Sequence, residues 1–407
     1  MNLSGTNLDH ARRFNRRVVM EIVRLHGPLS RAEIARMTGL SAQTISNIVG
    51  EFAEAGLVRS VRRRTGARGQ PAVDLELDPD GGFTFGVSFD QSSLIVLLVD
   101  VAGTVRDRER VALGETEPDE VLGRIATAVS AMSERNGAPR ERVWGVGVVL
   151  PALLQQGELV ALGPSSLGSW QGFPLRAALS DRLRLPVLVE NDATAAAIGE
   201  RLYGAAKSLT DFVYVYVGAG VGGGLFLRGH PYSGGFGKSG EIGHVVVEPG
   251  GRLCPCGNRG CLERYASLNA AHAALGLGAS EPGAVDTGTI ERAHREGDPR
   301  LEAWIGEAAE MLGRAVVILE NCLDPETVIL GGVLPEPVLE AIAARMEPLP
   351  RSVSSARSAP GPGGTARVTL GRVGIETPAL GAATLPFFDG ITPELSLLFK
   401  HGVVEPI

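Results

Sequence analysis

Apolar residues recur at helical spacing through Phe14, Val18, Ile22 and Leu25, which predicts an amphipathic helix stopped by His26-Gly27-Pro28. Ser30, with Glu33 three residues on, has the form of a capping box for a second helix. From Arg31 to Gly50 the pattern is that of a helix-turn-helix. Ala35 falls where two crossing helices leave room for a small side chain, Gly39 falls in the tight turn, and Ser41 caps the next helix. Ile45, Ile48, Val49 and Phe52 form that helix's buried stripe. Its opposite face carries Gln43, Thr44 and Asn47, short polar side chains suited to base edges in a major groove. The period then changes from helical to alternating. Leu57–Val61 and the set Val73, Leu75, Leu77 predict two strands. Between them, Arg62, Arg63, Arg64 and Arg68 make a cationic wing tip that can reach phosphates or a minor groove.

Beyond residue 82 the pattern is strand alternating with helix. Phe83, Phe85, Val87 and Phe89 alternate and lead into the strand Leu94–Asp100; two short strands then precede a helix over Pro118–Arg135. A strand at Val143–Leu150, a helix near Pro174–Arg184 and a buried strand at Val187–Glu190 follow, and a long helix opens at Ala193. The pattern restarts at Phe212 with a strand, a glycine-rich turn and a second strand, then helices and the strand Val328–Leu330. Two similar halves of this kind predict two α/β lobes with a cleft between them. The expected division is a winged helix-turn-helix over 1–75, a linker over 76–82, a first lobe over 83–195 plus about 380–407, and a second lobe over 196–379.

Charge sharpens this division. Residues 1–70 hold 12 Arg against 5 acids, a net of +7, whereas the whole chain carries −7, which leaves −14 on the rest. A basic head on an acidic body points to a nucleic-acid module fused to a different function. No run of about 18 apolar residues predicts a membrane span, and the Arg-rich start lacks an apolar signal core, so a cytoplasmic protein is expected.

Three of the four cysteines, Cys254, Cys256 and Cys261, fall within eight residues. Disulfides between such near neighbours are strained. Three thiolates with His244 ten residues upstream are instead a donor set for tetrahedral zinc, and four protein ligands predict a closed, structural site. Cys322, in an apolar helical run, is expected in the core.

Four strings in the body carry a resemblance: Glu190-Asn191-Asp192-Ala193, the glycine-rich run Val217–Gly224, Gly240-Glu241-Ile242-Gly243-His244, and the cysteine segment Cys254–Glu263. With them the chain resembles the ROK family of repressors, open reading frames and kinases, over essentially its whole length. The resemblance implies an actin-like, ribonuclease H-like two-lobed fold, with a winged head in the repressor branch. It also implies that Asn191, Asp192, Glu241, His244 and Glu263 bind a hexose, and that in a kinase Asp192 would be the general base. His244 thereby acquires two implied roles, toward sugar and toward metal. The loop Gly163–Trp170 departs from the family's usual Asn-Leu-Gly-Trp, with Ser166 in place of Asn and Ser169 inserted.

The phosphate-binding half of the resemblance is degraded. Where the family has Asp-x-Gly-Gly-Thr, this chain has Ser88-Phe89-Asp90-Gln91-Ser92, and the second turn has Ala219 in place of Thr. An added carboxylate repels phosphates at low dielectric. The expectation is therefore a DNA-binding regulator, most simply a repressor, without catalysis and with Asp192 vestigial. Its partners would be operator DNA, a sugar or sugar phosphate effector, and its own copies as a dimer or tetramer, since paired recognition helices fit successive grooves. Two alternatives stand beside it: an active sugar kinase with a fused head, and a regulator controlled by protein docking.

Overall fold

The computed structural model describes residues 8–62, 73–90, 93–113, 117–150, 152–155, 158–162, 168–277, 287–353, 366–372 and 376–391. The head consists of α1 (Leu8–His26), β1 (Leu29–Ser30), α2 (Arg31–Thr38), α3 (Ala42–Glu54), β2 (Val58–Arg62) and β3 (Val73–Leu77). Its sheet has the order β1-β3-β2, antiparallel throughout. The local signals act as read. The Ser30 hydroxyl accepts from the Glu33 N–H while Glu33 accepts from the Ser30 N–H at 2.8 Å, and Gly39 turns at φ 71°. Ser41 accepts from the Thr44 N–H at 3.2 Å, and Ile45, Ile48, Val49 and Phe52 are buried.

The first helix differs from its expectation. Its most buried residues are Val19, Met20 and Val23, while Phe14, Val18, Ile22 and Leu25 are only half-buried. The cause is a second partner. Val19, Met20 and Val23 belong to one apolar cluster that joins Ile34, Ile45 and Leu75 of the head to Leu97, Val99, Ala379, Leu380 and Phe387 of the body. The head is docked on the body through shared core, so the buried face of α1 is rotated from what the head alone requires.

The body opens with β4 (Phe83–Phe89), β5 (Ser93–Asp100), β6 (Val105–Ala112), α4 (Pro118–Arg135), β7 (Val143–Leu150), β8 (Ala152–Gln155), β9 (Glu158–Leu162), α5 (Leu175–Leu183), β10 (Val187–Asn191) and α6 (Asp192–Tyr203). It continues with β11 (Phe212–Val217), β12 (Val221–Leu227), β13 (His230–Pro231), α7 (Glu263–Ala266), α8 (Leu268–Ala274), α9 (Thr287–Glu296) and α10 (Pro299–Leu323). It ends with β14 (Thr327–Gly332), α11 (Glu336–Met346), β15 (Val368–Leu370) and α12 (Thr377–Ile391).

One five-stranded sheet has the order β10-β7-β4-β5-β6 and the other β13-β12-β11-β14-β15. Both have the same design: the first three strands of each half form an antiparallel meander, and two further strands add in parallel on the other side of the first. The sequence pattern predicts two strands between Asp100 and α4; among the described residues there is one, β6. It is an edge strand whose alternating outward positions carry Arg106, Arg108 and Arg110, charges that keep an exposed edge from pairing. Cys322 is exposed instead of buried, because the last turn of α10 presents it beside exposed Asn321.

Helix α6 lies between the two sheets, packed on α12 and on β11 and β12. Its approach to β12 depends on glycine. A Cβ on Gly224 would sit 2.4 Å from the Ala197 Cβ and 2.5 Å from the Ala193 carbonyl oxygen. Small residues on both surfaces thus bring helix backbone almost against strand backbone.

Candidate functional site

The outer face of α3 presents Ser41, Gln43 and Asn47 exposed and Thr44 half-buried. Gln43 donates to the Asn47 Oδ1 at 2.9 Å, which orients both amides. Glu51 follows on the same face and is held by Arg12 and by Arg16, the latter at 2.6 Å. Sequence pattern missed this pairing, since it joins α1 to α3 over 35 residues or more. Arg62 closes β2; Arg63, Arg64 and Arg68 lie outside the described residues.

The ligand atoms of His244, Cys254, Cys256 and Cys261 all lie within 4.8 Å of one another. Backbone geometry makes this possible. Gly260 turns at φ 85°, and a Cβ there would fall 1.7 Å from the Glu248 carbonyl oxygen. Bridges Val246–Cys261 and Leu253–Arg259 close the loop, and the Cys254 N–H donates to the Asn258 carbonyl at 2.9 Å. The loop is braced from outside: the Arg252 guanidinium lies over the Tyr265 ring at 4.6 Å, the Trp304 indole donates to the Tyr265 carbonyl at 2.8 Å, and Arg314 pairs with Glu248.

The spacings test whether a tetrahedral ion fits. Zinc with bonds of about 2.3 Å to sulfur and about 2.05 Å to nitrogen requires S···S edges of about 3.8 Å and S···N edges of about 3.6 Å. Cys256 Sγ and Cys261 Sγ are 3.7 Å apart, and Cys254 Sγ and His244 Nδ1 are 3.6 Å apart. The donor set could therefore hold a metal. The Cys256 thiol is lowered to about 7, first by the Asn258 N–H and then by its cysteine neighbours, which favours the thiolate a metal takes.

His244 faces two ways. Nδ1 lies toward the cysteines, whereas Nε2 lies 3.9 Å from Glu241 Oε2. Glu263 sits at the junction: its Oε1 is 3.1 Å from Cys254 Sγ and 3.7 Å from His244 Nδ1, and its Oε2 faces Gly220 of the glycine-rich turn. Desolvation raises the Glu241 carboxyl; the nearby His244 opposes the rise and Glu263 adds to it.

Asn191 and Asp192 enter from α6. Asn191 is its N-cap and accepts from the Thr194 N–H at 2.7 Å, so the free end of the amide is its NH2 donor. Desolvation lifts the Asp192 carboxyl to about 6, the Ala193 N–H and its own N–H oppose this, and the Glu241 charge adds to it. The structure thus brings Asp192, Glu241, His244 and Glu263 into one electrostatically linked row leading to the cysteines.

The other end of α6 meets the head. Arg24 of α1 donates to the Leu202 carbonyl at 2.9 Å, while its remaining nitrogens grip Glu21 at 2.8 and 2.9 Å. The Arg24 side chain is 6% exposed and that of Glu21 14%. A cation on the last carbonyls of a helix satisfies orphan acceptors and complements the dipole. No sequence signal marks Arg24, because its partner is 178 residues away.

Asp90 follows β4 and accepts from the Ser93 N–H at 2.8 Å; Gln91 and Ser92 lie outside the described residues, as do 163–167 of the altered loop. The buried Tyr216 phenol is pushed up first by desolvation, and the neighbouring Asp192, Tyr214 and Asp90 add to the rise. Trp170 is fully buried against Phe89 and Phe173. Beside Gly331 and Gly332 lies a cavity of about 370 Å³ whose charged lining is Glu200, Glu291, Glu336 and Arg372. Glu336 lies in the first turn of α11 and brings negative charge near a helix N-terminus that would otherwise favour a phosphate.

The fold and the donor cluster define a winged helix-turn-helix joined to a two-lobed, actin-like body. The protein-family model described as the ROK family matches residues 84–386, and the chain belongs to that family. The MarR family model matches residues 16–69, within the head. The chain is similar to the xylose repressor of Bacillus spizizenii, with 27% identity over 377 residues, covering 92% of this chain and 95% of that protein. Among solved structures, a ROK family transcriptional regulator described as a homolog of the E. coli MLC protein superposes with a TM-score of 0.72 at 24% identity, covering 94% and 98% of the two chains. A ROK hexokinase from Thermus thermophilus superposes with a TM-score of 0.58 at 28% identity, covering 75% and 98%. Among the described residues, no helix is long and apolar enough to cross a membrane.

Proposed function

We propose that this protein is a DNA-binding transcriptional repressor whose body binds a sugar as effector without phosphorylating it. The observation that carries the reading is the placement of α6. Its N-terminus holds Asn191 and Asp192, and its C-terminus is bonded to the DNA-binding head through Arg24. Twelve residues at about 1.5 Å each make a rod of about 18 Å between them.

In this reading Asn191, Asp192, Glu241, His244 and Glu263 bind neighbouring sugar hydroxyls; the carboxylates accept and the Asn191 amide donates. Closing around the sugar shifts α6, α6 shifts α1, and the population of heads that fit DNA changes. Ser41, Gln43, Thr44 and Asn47 meet bases, and Arg62, Arg63, Arg64 and Arg68 add backbone affinity. A dimer supplies two such heads. His244, Cys254, Cys256 and Cys261 would hold zinc, which cross-links the loop carrying Glu263 and leaves His244 Nε2 for a hydroxyl. The first lobe is taken as 83–195 with 380–407, the second as 196–379, and 76–82 joins the head. Asp90 and the acids of the 370 Å³ cavity oppose a nucleoside triphosphate, which favours sensing over turnover.

The test selects duplexes from genomic fragments with the purified full chain, then titrates the selected duplex with pentoses, hexoses, amino sugars and their phosphates. One of them should change DNA affinity about tenfold, a coupling near 1.4 kcal/mol. No change with any sugar would remove the sensing reading. ADP release above background with ATP and a sugar would remove the non-catalytic part.

A further inference from the structure

Gln43 and Asn47 stand one turn apart on α3, both exposed, opposite the buried stripe of Ile45, Ile48, Val49 and Phe52. Side chains four residues apart on a helix are neighbours, and here the Gln43 Nε2 donates to the Asn47 Oδ1 at 2.9 Å. An amide nitrogen carries two N–H groups, and this bond uses one of them. Gln43 therefore keeps its Oε1 as an acceptor and its second N–H as a donor, on a side chain whose torsions Asn47 restrains.

The other polar groups of this face are engaged. The Ser41 and Thr44 hydroxyls share a hydrogen bond at 2.8 Å, and the Ser41 Oγ also accepts from the Thr44 N–H. One turn beyond Asn47, the Glu51 carboxylate is taken by Arg12 and Arg16. Gly50, between them, has nothing within 4 Å of where a Cβ would lie, so the approach to the amide pair is open. In a major groove, adenine offers its N7 acceptor beside its N6 donor. Guanine offers two acceptors, N7 and O6; thymine offers an acceptor and a methyl group; cytosine offers a donor alone. An acceptor beside a donor therefore fits adenine. Guanine would set its O6 against the Gln43 Oε1, two acceptors with no proton between them.

We propose that Gln43 selects an adenine in the major groove, its Oε1 accepting from N6 and its second N–H donating to N7. Asn47 is the positioning residue that holds the amide in this orientation. The inference rests on the DNA-binding reading above and fixes which base this face selects.

Random-sequence duplexes are selected by the purified full chain and by Gln43→Ala, Gln43→Glu and Asn47→Ala, and the enriched sequences are read. All three changes fall on exposed side chains and should leave the melting temperature in place. The wild type should prefer adenine over guanine about tenfold at one position, or 1.4 kcal/mol. Gln43→Ala should lose the preference at that position and keep the rest of the sequence, and Asn47→Ala should reduce it about threefold. Gln43→Glu, an acceptor without a donor, should move the preference there to cytosine. Replacing the adenine by 7-deazaadenine, which lacks the N7 acceptor, should weaken the wild type about tenfold and leave Gln43→Ala unchanged. A wild-type sequence that survives Gln43→Ala at every position, a lost position that favours guanine, or equal weakening of both proteins by 7-deazaadenine overturns the proposal and leaves the DNA-binding reading standing. Full preference in Asn47→Ala overturns the positioning role. Failure of the wild type to enrich any sequence removes the DNA-binding reading and this inference with it.

Discussion

Replacing Arg24 separates the stability of the head–body seam from communication through it. Arg24→Met removes a charged hydrogen bond to the Leu202 carbonyl, worth about 1.5–3 kcal/mol. It also strands Glu21, which is 14% exposed and bound through both carboxylate oxygens. Breaking a buried pair from one side costs about 3–5 kcal/mol. The lower end applies here, because Arg201 lies near enough for Glu21 to favour its charged form against a larger desolvation effect. Glu21→Gln/Arg24→Met removes the stranded charge and should recover about half of the lost stability, yet the link from Leu202 stays cut. Sugar affinity, measured by calorimetry, should remain within about twofold in both variants, because neither residue is near Asp192. The effect of sugar on DNA affinity, measured by fluorescence anisotropy, should vanish in both. If the double variant keeps the full response to sugar, α6 does not carry the signal through Arg24.

The donor cluster should yield one zinc per chain by elemental analysis, and Cys254→Ser should lose it and lower the melting temperature, because metal binding and folding of such a loop are coupled. A full chain that retains no metal after purification in zinc would remove that assignment. Asp192, raised to about 6 from 3.8, favours the fold fully below pH 3.8 and loses that contribution as pH rises through 6. Asp192→Asn should therefore stabilise the sugar-free protein by up to about 3 kcal/mol at pH 7.5 and by almost nothing at pH 4, read from denaturant melts at both values. Equal effects at both pH values would show that Asp192 is not desolvated.

The parts legible in the sequence are those whose causes are local. Ser30 with Glu33, Gly39 and Ser41 each act within four residues, and so the head could be read off the chain. The cysteine spacing is local as well, and a loop that short can converge in few ways. What the pattern missed is contact between distant segments. The buried face of α1 was misjudged because Val19, Met20 and Val23 also serve Leu380 and Phe387, more than 350 residues on. Strand β6 stands where the pattern predicts two short strands, because an edge strand has no strongly apolar face to mark its extent. The proximity of Asp192 to Glu241 came from the family resemblance and not from spacing, since α6 and the loop after β13 meet only when both sheets are in place.

The same long-range contacts explain why α6 can act as one body. Its first turn is capped by Asn191 and its last carbonyls are held by Arg24. Along its length Ala193 and Ala197 lie against Gly222 and Gly224 of β12, surfaces with no side chain that could change rotamer and absorb a displacement. A close-packed contact of this kind transmits strain where a looser one would dissipate it. The Asn191 side chain spends its oxygen on the helix and offers its NH2 to a ligand, so a hydroxyl that engages Asn191 pulls on the helix itself. Any shift there must reach Leu202 or break the contact with β12. Enlarging Gly224 should therefore harm folding before it harms coupling, whereas Glu21→Gln/Arg24→Met should abolish coupling while recovering about half of the stability that Arg24→Met loses.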